Sequence, residues 1–574
     1  MTDKLIDYRD AEIAVIPEKN RIWPLYGAGF DNLGIDNQPI EVVLPKYGPD
    51  ELLVRHDACG LCFSDIKILT LGDKHPRITR DMKSDPVVMG HEVVMTIIGV
   101  GENLKDKYKI GQRFIIQADI YDKGVNLAYG YMIQGGLSQY GVIDRRVLNG
   151  DDGNYLIPIQ ETTGYVESAL VEPWACVIAA YQLKYRTAIK NGGITWIVGA
   201  AGVDADRPYT ITAGFDQNMH PAKLMLTNVP ATFAAWLSER AQQVGTQVIV
   251  LDDIGSAPTE GVDDIIMLGA DADLVENISP KLAHFGVFAT ISDRPFSRSV
   301  SIDVGRIHYN RWVYVGAKGA DIALAYSDTP VRSTLKPGGT SWLVGAGGPI
   351  GRMHLQRAIE LPGAPAVIVC TDVSDNRLED LRQSFENDAK ANLISLVCLN
   401  PTKKEEYSQY MAGVKSCGGF DDIIVLAPVP AVISDSATYL APDGVMNVFA
   451  GVNRGTNASI NLNDVLNKHV RVIGHSASSV DDMKLMLSDT ESGVLSPNRS
   501  VAAVGSLEAA KVGLQALKDA TYPGKVVIFP NIKYMPVTAL PDLKDILPTV
   551  YAKLKNGREW TVEAEEEFLR IMLP

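Results

Sequence analysis

Four side chains in the first third of the chain are of types that bind zinc. Cys62 lies in GLCFSD, His91 and Glu92 lie in MGHEV, and Glu172 lies in ALVEPW. A thiolate, an imidazole and one or two carboxylates form a ligand set that suits zinc and leaves a coordination position open. The sequence leaves open which of the two glutamates contacts the metal.

A glycine-rich turn later in the chain has the composition of a dinucleotide-phosphate site. WLVGAGGPIGRMHLQRAIE (342–360) predicts a strand, a turn and a helix, an order that brings a pyrophosphate to the unpaired N–H groups of the helix N-terminus. Asp372 ends the next strand, where a carboxylate binds the adenosine ribose and repels a 2′-phosphate. The pattern favours NAD over NADP. The alternative interpretation is that the glycine-rich segment is a tight structural turn that binds no cofactor. The predicted cofactor-binding residues are Gly345, Gly347, Gly348, Pro349, Ile350, Gly351, Asp372 and Arg377.

A similar turn occurs earlier, in WIVGAAGVDADRPY (196–209), but it is a poor phosphate site. Asp204 and Asp206 stand where phosphate oxygens would lie, and like charges repel strongly in a low-dielectric environment. Asn228 replaces the counterpart of Asp372. We therefore predict that this first copy is a scaffold that binds no cofactor.

The two turns belong to a long internal repeat. GVDDIIMLGA (261–270) returns as GFDDIIVLAP (419–428), and an offset of 158 keeps residues 261–316 in register without a gap. In each copy, short apolar runs rich in β-branched residues alternate with helical stretches, which is typical of a parallel sheet buried on both faces. We therefore predict an α/β protein with two tandem doubly wound, Rossmann-type sheets.

Composition limits the classes of function. The chain has 574 residues, of which 46% are hydrophobic and 21% charged, so several domains of a soluble globular protein are expected. A net charge of −15 argues against a nucleic-acid or anionic-membrane partner. The first residues lack a signal-peptide pattern, and we expect a cytoplasmic protein without membrane spans. The cysteines are too few for a disulfide scaffold, and they are Cys59, Cys62, Cys176, Cys370, Cys398 and Cys417.

The motifs of the first region resemble the zinc-dependent medium-chain dehydrogenase/reductase family, in its sorbitol-dehydrogenase-like branch. They are GLCFSD, GHE, KIGQR and VEP, followed beyond the second glycine turn by YPGKVVIFP (522–530). The resemblance implies a β-rich, GroES-like catalytic domain in which Cys62 and His91 ligate a catalytic zinc. It also implies that Glu92 and Glu172 supply a third ligand or hold the zinc-bound water, and that Ser64 takes the substrate proton.

Three positions depart from the family pattern. Lys67 stands where the family often has a histidine that passes the proton to solvent, and an unperturbed lysine is a poor shuttle at neutral pH. Phe63 replaces a usually smaller residue beside the zinc cysteine. Residues 117–140 contain no cysteine, so the lobe that holds a structural zinc in many relatives is absent. One zinc per chain is predicted.

The function expected from this resemblance is oxidation of a secondary alcohol of a polyol, sugar or sugar phosphate with zinc and NAD. One alternative is a non-catalytic nucleotide-binding or assembly protein that kept the dehydrogenase fold, which the altered first copy suggests. Another is a metal-free reductase of activated double bonds, but those relatives usually lack the zinc ligands.

The domain boundaries follow from the repeat. We predict a catalytic domain over 1–185, a first Rossmann-like domain over 186–335, an NAD-binding domain over 336–494, and a return to the catalytic domain with a helical extension over 495–574. Family members commonly pair their nucleotide domains edge to edge in a dimer. We expect the two copies to make that pairing within the chain, through the edge strands in 310–319 and 468–477, with further homo-oligomers possible.

Overall fold

The computed structural model describes residues 4–11, 16–327 and 332–574. The chain forms two compact units. The first contains residues 1–179, 348–353 and 477–574, and the second contains residues 180–347 and 354–476. Within the described residues, no helix is both long enough and apolar enough to span a membrane.

The first unit is built on a largely antiparallel sheet that combines strands from both ends of the chain. Every residue of its strand Leu52–Gly60 is buried, because the strand lies between two other strands and is covered on both faces. The strand order is Leu156–Pro158, Arg113–Ile116, Glu92–Val100, Leu52–Gly60, Lys525–Phe529, Val501–Ser506 and Thr538–Ala539, with Tyr140–Ile143 also paired to Leu52–Gly60.

Short strand pairs and helices complete this unit. The pairs are Lys19–Ile22 with Ile40–Val43, Pro24–Leu25 with Val87–Val88, and Tyr121–Asp122 with Val125–Asn126. The helices are Lys4–Arg9, Phe63–Leu71, Arg145–Leu148, Tyr165–Ala169, Val171–Ala179, Val480–Glu491, Ala510–Lys518, Leu543–Ile546, Pro548–Tyr551 and Val562–Met572.

The second unit contains two six-stranded parallel sheets with the same strand order, which confirms the predicted fold class. In each sheet the third strand of the order comes first in sequence, as in doubly wound nucleotide-binding folds. The first sheet runs Gln247–Val250, Lys223–Thr227, Ile194–Gly199, Val262–Leu268, Leu282–Ile291 and Val313–Ala317. The second runs Ser395–Leu399, Val367–Thr371, Thr340–Val344, Phe420–Val425, Leu440–Val448 and Arg471–Gly474.

The second copy has two helices, Pro349–Glu360 and Lys404–Ser416, that have no α-helical counterpart among the described residues of the first. The helices of the first copy are Ala231–Val244, Ala272–Ile278 and Val304–Asn310, and those of the second are Pro349–Glu360, Asp375–Ala391, Lys404–Ser416, Pro430–Ala437 and Leu462–Lys468. Residues 200–222 of the first copy, all of them described, form turns and bends where the second copy has Pro349–Glu360. The first glycine turn therefore leads into no helix N-terminus.

The repeated Asp-Asp pair performs the same structural task in both copies. Asp264 is buried and accepts a hydrogen bond from Arg186 (2.8 Å), and Asp422 is bound in the same way by Arg332. The two arginines are separated by the 146 residues that also separate the two glycine turns. In each copy, the second aspartate of the DDII sequence thus binds an arginine in the loop that precedes the first strand, and it anchors that loop to the sheet.

The two copies pack on each other with approximate twofold symmetry. Strand Val300–Asp303 pairs antiparallel with Asn457–Ile460, so that Val300 lies opposite Ile460 and Ile302 opposite Ala458. Since 300 and 458 are equivalent positions of the repeat, as are 302 and 460, each copy contributes the same surface to the contact. Such an isologous arrangement is that of a symmetric dimer.

The edge strands expected to join the two sheets do not form a hydrogen-bonded ladder. Val313–Ala317 pairs only with the strand Leu282–Ile291 of its own copy, and Arg471–Gly474 only with Leu440–Val448, among the strands described. The reason is steric, because helices cover the edges: Gly316 lies against Leu466, and Gly474 lies against His308. The pairing forms instead through the short strands that precede these helices.

The return to the first unit comes earlier than the predicted boundary at residue 495. The unit resumes at Ala477, because the helix Val480–Glu491 packs on Val171–Ala179 of that unit. The C-terminal segment forms three helices, and the last of them supports the core through a buried carboxylate. Glu565 accepts hydrogen bonds from the backbone N–H groups of Tyr165 (2.6 Å) and Val166 (2.8 Å).

We predict that Glu565→Ala lowers the free energy of unfolding by about 1–3 kcal/mol, because two buried N–H groups lose their acceptor. Glu566→Ala is the matched control, since its side chain lies at the surface in ion pairs with Arg9 and Arg570 and should cost less than about 0.5 kcal/mol. Urea unfolding followed by tryptophan fluorescence measures both. Equal losses in the two variants would contradict the assigned role of Glu565.

Candidate functional site

The predicted ligands Cys62, His91 and Glu92 lie together at one end of the sheet of the first unit. Cys62 immediately precedes the helix Phe63–Leu71, and Glu92 is the first residue of the strand Glu92–Val100. One ligand atom from each of the three side chains lies within 4.8 Å of the other two. No other group of three potential metal ligands among the described residues meets this distance.

One buried atom of this cluster, Glu92 Oε2, has no hydrogen-bond partner among the described residues. A buried polar atom without a partner costs about 1–3 kcal/mol, so such an atom in a native structure usually faces a ligand. His91 Nδ1 faces the Asp65 carboxylate. A carboxylate oxygen, an imidazole nitrogen and the Cys62 sulfur are all Lewis bases that bind zinc, and the donor set therefore fits a zinc ion.

Asp65 connects the two segments that carry these side chains. Its buried carboxylate accepts hydrogen bonds from the N–H of Cys62 (3.0 Å) and of Gly90 (3.3 Å). The same carboxylate lies 3.4 Å from His91 Nδ1. Burial alone would lower the pKa of His91, but Cys62 and Asp65 raise it well above its usual range in the metal-free protein.

Glu92 is held by a buried ion pair with Lys525. The two side chains are almost fully buried, and Lys525 also donates a hydrogen bond to the carbonyl of Leu61 (3.3 Å). Burial lowers the pKa of Lys525, but Glu92 and Cys62 more than offset this effect and raise it. The Glu92 carboxylate lies directly over Gly60, where a Cβ atom would collide with Oε2. Glycine at position 60 is thus required by the close approach of this carboxylate.

Glu172 and Ser64 lie near the cluster but outside it. Glu172 is in the first turn of the helix Val171–Ala179, and its ligand atoms do not meet the distance that defines the cluster. Burial raises the pKa of Glu172 to about 7, while His91 and Lys525 lower it and Glu92 raises it. Ser64 is partly buried in the first turn of the helix that follows Cys62, and Phe63 is 57% exposed.

The predicted nucleotide-binding residues lie in the glycine turn of the second copy and on the elements next to it. Gly345 and Gly347 follow the strand Thr340–Val344, and Asp372 follows Val367–Thr371. The Asp372 carboxylate accepts a hydrogen bond from the N–H of Gly347 (3.0 Å), and a Cβ atom at position 347 would lie 2.7 Å from that carboxylate. The others lie on helices or next to them: Gly348 precedes Pro349–Glu360, which contains Pro349, Ile350 and Gly351, and Arg377 is in Asp375–Ala391.

The corresponding turn of the first copy is built differently. Ala201 stands at the position of Gly347 and already carries a Cβ atom. The Arg207 guanidinium, which could have attracted an anion, is bound by the Asp293 carboxylate (2.5 Å) and the carbonyl of Gly319. Asp204 and Asp206 are exposed beside it.

Two residues that contact the cluster of Cys62, His91 and Glu92 were not predicted from the sequence, and they are Lys525 and Tyr131. Lys525 lies in YPGKVVIFP, and the signal that marks it is a charged residue within an otherwise apolar strand. Tyr131 packs its ring 6.2 Å from that of His91 and is itself covered by Arg77, whose guanidinium lies 5.6 Å from the Tyr131 ring. The distant position of Tyr131 along the chain gives no local pattern that would reveal this contact.

Comparison with known proteins agrees with this geometry. Residues 48–149 match the family model "Alcohol dehydrogenase GroES-like domain", and residues 349–492 match "Zinc-binding dehydrogenase". Mannitol-1-phosphate 5-dehydrogenase of Aliivibrio fischeri is 23% identical over 539 residues, which cover 92% of this chain and 93% of that protein. L-sorbose 1-phosphate reductase of Klebsiella pneumoniae is 21% identical over 529 residues, with 92% and 93% coverage.

The solved structures show the same fold. The 2R,3R-butanediol dehydrogenase of Bacillus subtilis superposes with a TM-score of 0.50 at 15% identity, covering 89% of this chain and 100% of that one. The fold, the family matches and the order of motifs support a zinc-type medium-chain dehydrogenase. It is an oxidoreductase of the general polyol, sugar-phosphate and alcohol dehydrogenase kind.

The buried ion pair generates a prediction for the metal-free protein. Lys525→Met leaves the Glu92 charge buried without a partner and should cost about 3–5 kcal/mol of stability. The double variant Lys525→Met/Glu92→Gln should recover most of that loss, because no unpaired charge remains. Urea unfolding in the presence of a chelator measures both.

The control for this experiment is Lys19→Met, which breaks the exposed pair with Glu41 and should cost less than about 1 kcal/mol. Losses in the double variant that equal the sum of the single losses would show that Glu92 and Lys525 do not stabilise each other.

Proposed function

We propose that this protein is a zinc- and NAD-dependent dehydrogenase that interconverts a secondary alcohol and a ketone on a phosphorylated polyol or sugar. The observation that carries the proposal is the buried cluster of Cys62, His91 and Glu92, with the unpartnered Glu92 Oε2 and the supporting carboxylate Asp65. A non-catalytic protein has no reason to keep such a costly arrangement of buried polar groups.

Cys62, His91 and Glu92 are the residues that would hold the zinc, and Glu172 is proposed as the alternative carboxylate. When bound, zinc would polarise the substrate oxygen and favour its deprotonation. Asp65 fixes the positions of Cys62 and His91, and Lys525 neutralises and orients Glu92. The chain thus presents a preorganised donor set on rigid elements.

Ser64 is the proposed proton acceptor of the substrate hydroxyl. Ser64 lies in the first turn of the helix Phe63–Leu71, two residues after Cys62 in sequence. The hydrogen bond from the Cys62 N–H to the Asp65 carboxylate fixes the backbone of this turn. From Ser64 the proton must pass to solvent, and Lys67 lies one helical turn further on the same face.

NAD is the proposed cofactor and the second copy its proposed site. The cofactor would accept the hydride from the substrate carbon. Asp372 supports NAD over NADP, because its carboxylate lies at the end of the second strand and would repel a 2′-phosphate. The first copy is proposed to bind no nucleotide, since its turn leads into no helix and carries exposed carboxylates.

The first copy has a different proposed role, that of a covalently supplied dimer partner. Its isologous contact with the second copy supports this interpretation, because free subunits of a symmetric dimer would meet through equivalent surfaces. A partner supplied within the chain has no need to bind a cofactor of its own.

The coverage of the relatives favours a phosphorylated substrate. Mannitol-1-phosphate 5-dehydrogenase and L-sorbose 1-phosphate reductase match 92% of this chain, a share that is possible only if the first copy is included. Sorbitol dehydrogenase of Gallus gallus matches only 30% of it. The long architecture is thus shared with proteins whose names specify a sugar or polyol phosphate.

Activity measurements test the proposal. We expect NAD-dependent oxidation of hexitol phosphates, with kcat/KM at least tenfold above that for the unphosphorylated hexitols. Cys62→Ser should reduce kcat by 100-fold or more and lower the zinc content of protein purified without chelators. Cys417→Ser, at an exposed cysteine, is the control and should change neither quantity. Full activity in Cys62→Ser would refute the metal-assisted mechanism, and absence of any NAD-linked activity would favour the non-catalytic alternative.

A pair of glycine-turn variants tests the assignment of the cofactor site. Gly347→Ala should weaken NADH binding at least tenfold, because its Cβ atom would lie 2.7 Å from Asp372 and displace it. Ala201→Gly makes the reverse change in the first copy and should leave binding unchanged. Fluorescence titration of NADH should give one site per chain. Two sites, or a loss of affinity caused by a change at position 201, would contradict the assignment.

A further inference from the structure

A cavity in the second unit lies where the edge strands of the two copies approach each other. Its volume is about 270 Å³, close to the lower end of the range for small-molecule sites. The first copy supplies most of its wall, including Val287, Val313 and Val315, and the second copy supplies Arg471 and Gly474. This cavity is distinct from the metal cluster, which is in the other unit.

Arg471 is a buried cation that has no ion-pair partner among the described residues. Its side chain is 3% exposed, its Nε has no hydrogen-bond partner, and Nη1 donates only to the carbonyl of Val470 (3.2 Å). Among the described residues, the carboxylate whose charge acts on the pKa of Arg471 is that of the exposed Asp443, and it raises the pKa. Burial lowers the pKa of Arg471 to about 10, which reflects the cost of placing a guanidinium in this apolar wall.

Four other lysine and arginine residues line the wall, namely Lys184, Arg186, Lys190 and Arg311, and two of them form ion pairs. Arg186 is paired with Asp264 and Lys190 with Asp263, so their charges are already matched. No aspartate or glutamate lines the cavity among the described residues. The hydroxyl of Tyr185, which also lines it, is buried and has no hydrogen-bond partner.

The repeat supplies an internal comparison. Arg471 is equivalent to Val313 of the first copy, at the offset of 158 that relates the two edge strands. Valine is thus compatible with this strand position in the same fold, and the strand itself does not require an arginine. The buried Arg471 charge is energetically costly, and it lies beside the Tyr185 hydroxyl, which has no hydrogen-bond partner among the described residues. Such an arrangement is expected where a ligand binds.

We infer that this cavity binds a small organic anion, whose carboxylate or phosphate group pairs with the Arg471 guanidinium and accepts a hydrogen bond from Tyr185. A guanidinium binds either oxyanion through two parallel N–H donors. The valine side chains and Phe285 would contact a body of a few carbon atoms. Because both copies line the cavity, the site exists only in a chain that carries the two together.

Thermal unfolding of the full chain with and without anions tests this inference. Inorganic phosphate and butyrate are the probes, and butyrate is compared with acetate to measure the contribution of the apolar wall. The wild-type protein should be stabilised by a saturable anion effect. Arg471→Val should weaken that effect at least tenfold in apparent Kd while leaving the unfolding temperature of the anion-free protein equal or higher, because an unpaired buried charge is removed.

Two further variants make the result decisive. Tyr185→Phe should weaken anion binding severalfold without loss of stability. Arg298→Val, which removes an exposed arginine paired with Asp273 and Glu276, should leave anion binding unchanged. The inference fails if Arg471→Val binds both probes as the wild type does, or if it lowers the anion-free unfolding temperature, which would assign Arg471 a structural role. NADH titration of Arg471→Val should be normal, and this separates failure at the cavity from failure of the proposed cofactor site.

Discussion

The buried ion pair between Glu92 and Lys525 holds together two parts of the chain that are 433 residues apart. One partner begins a strand of the N-terminal segment, and the other begins a strand that the chain reaches only after both nucleotide-type sheets are complete. Since a charge on either side chain would be costly to bury alone, the Glu92 carboxylate is stabilised in its buried position when this distant strand is in place. The first unit therefore assembles its site from both ends of the sequence, and Asp65 then fixes the relative positions of Cys62 and His91.

This closed arrangement explains how the chain accommodates two inserted sheets. The copies form a unit of their own, with a shared core that includes Trp196 and Trp312 from the first and Trp342 from the second. The approximately twofold contact between the copies buries apolar surface that each copy would otherwise expose to solvent. The second copy has the glycine turn, the helix Pro349–Glu360 and Asp372, whereas the first has the sheet and the Asp–Arg ion pair but lacks that helix and has Asn228 in place of the aspartate. Both copies therefore contain the sheet and its Asp–Arg ion pair, and only the second contains the glycine turn, helix and aspartate expected of a nucleotide site, among the described residues.

Much of the fold was predictable from sequence because it rests on local periodicity. The repeat at an offset of 158, the β-rich apolar runs and the glycine turns predicted two parallel sheets, and the motif order predicted the family. The ligand cluster was also accessible, since Cys62, His91 and Glu92 belong to recognisable motifs. Three features were not. Lys525 and Tyr131 reach the site through long-range packing that no local pattern records, and the missing helix at 200–222 follows a turn that still resembles its intact counterpart.

The pairing of the copies illustrates a further limit. Apolar edge strands predict that two sheets will join, but the choice of contact depends on what covers those edges. Here Leu466 and His308 lie over Gly316 and Gly474, and the pairing moves to a short strand that has no strong pattern of its own. The cavity beside Arg471 is a consequence of that arrangement and could not be read from either copy alone.

X-ray absorption at the zinc edge tests most directly whether Cys62, His91 and a glutamate form a zinc site. We predict one zinc per chain, with one sulfur ligand at about 2.3 Å and nitrogen or oxygen ligands at about 2.0–2.2 Å. In Cys62→Ser the sulfur contribution should disappear. A zinc ion bound only by nitrogen and oxygen in the wild-type protein, or protein that binds no zinc while its fold is intact, would contradict the account.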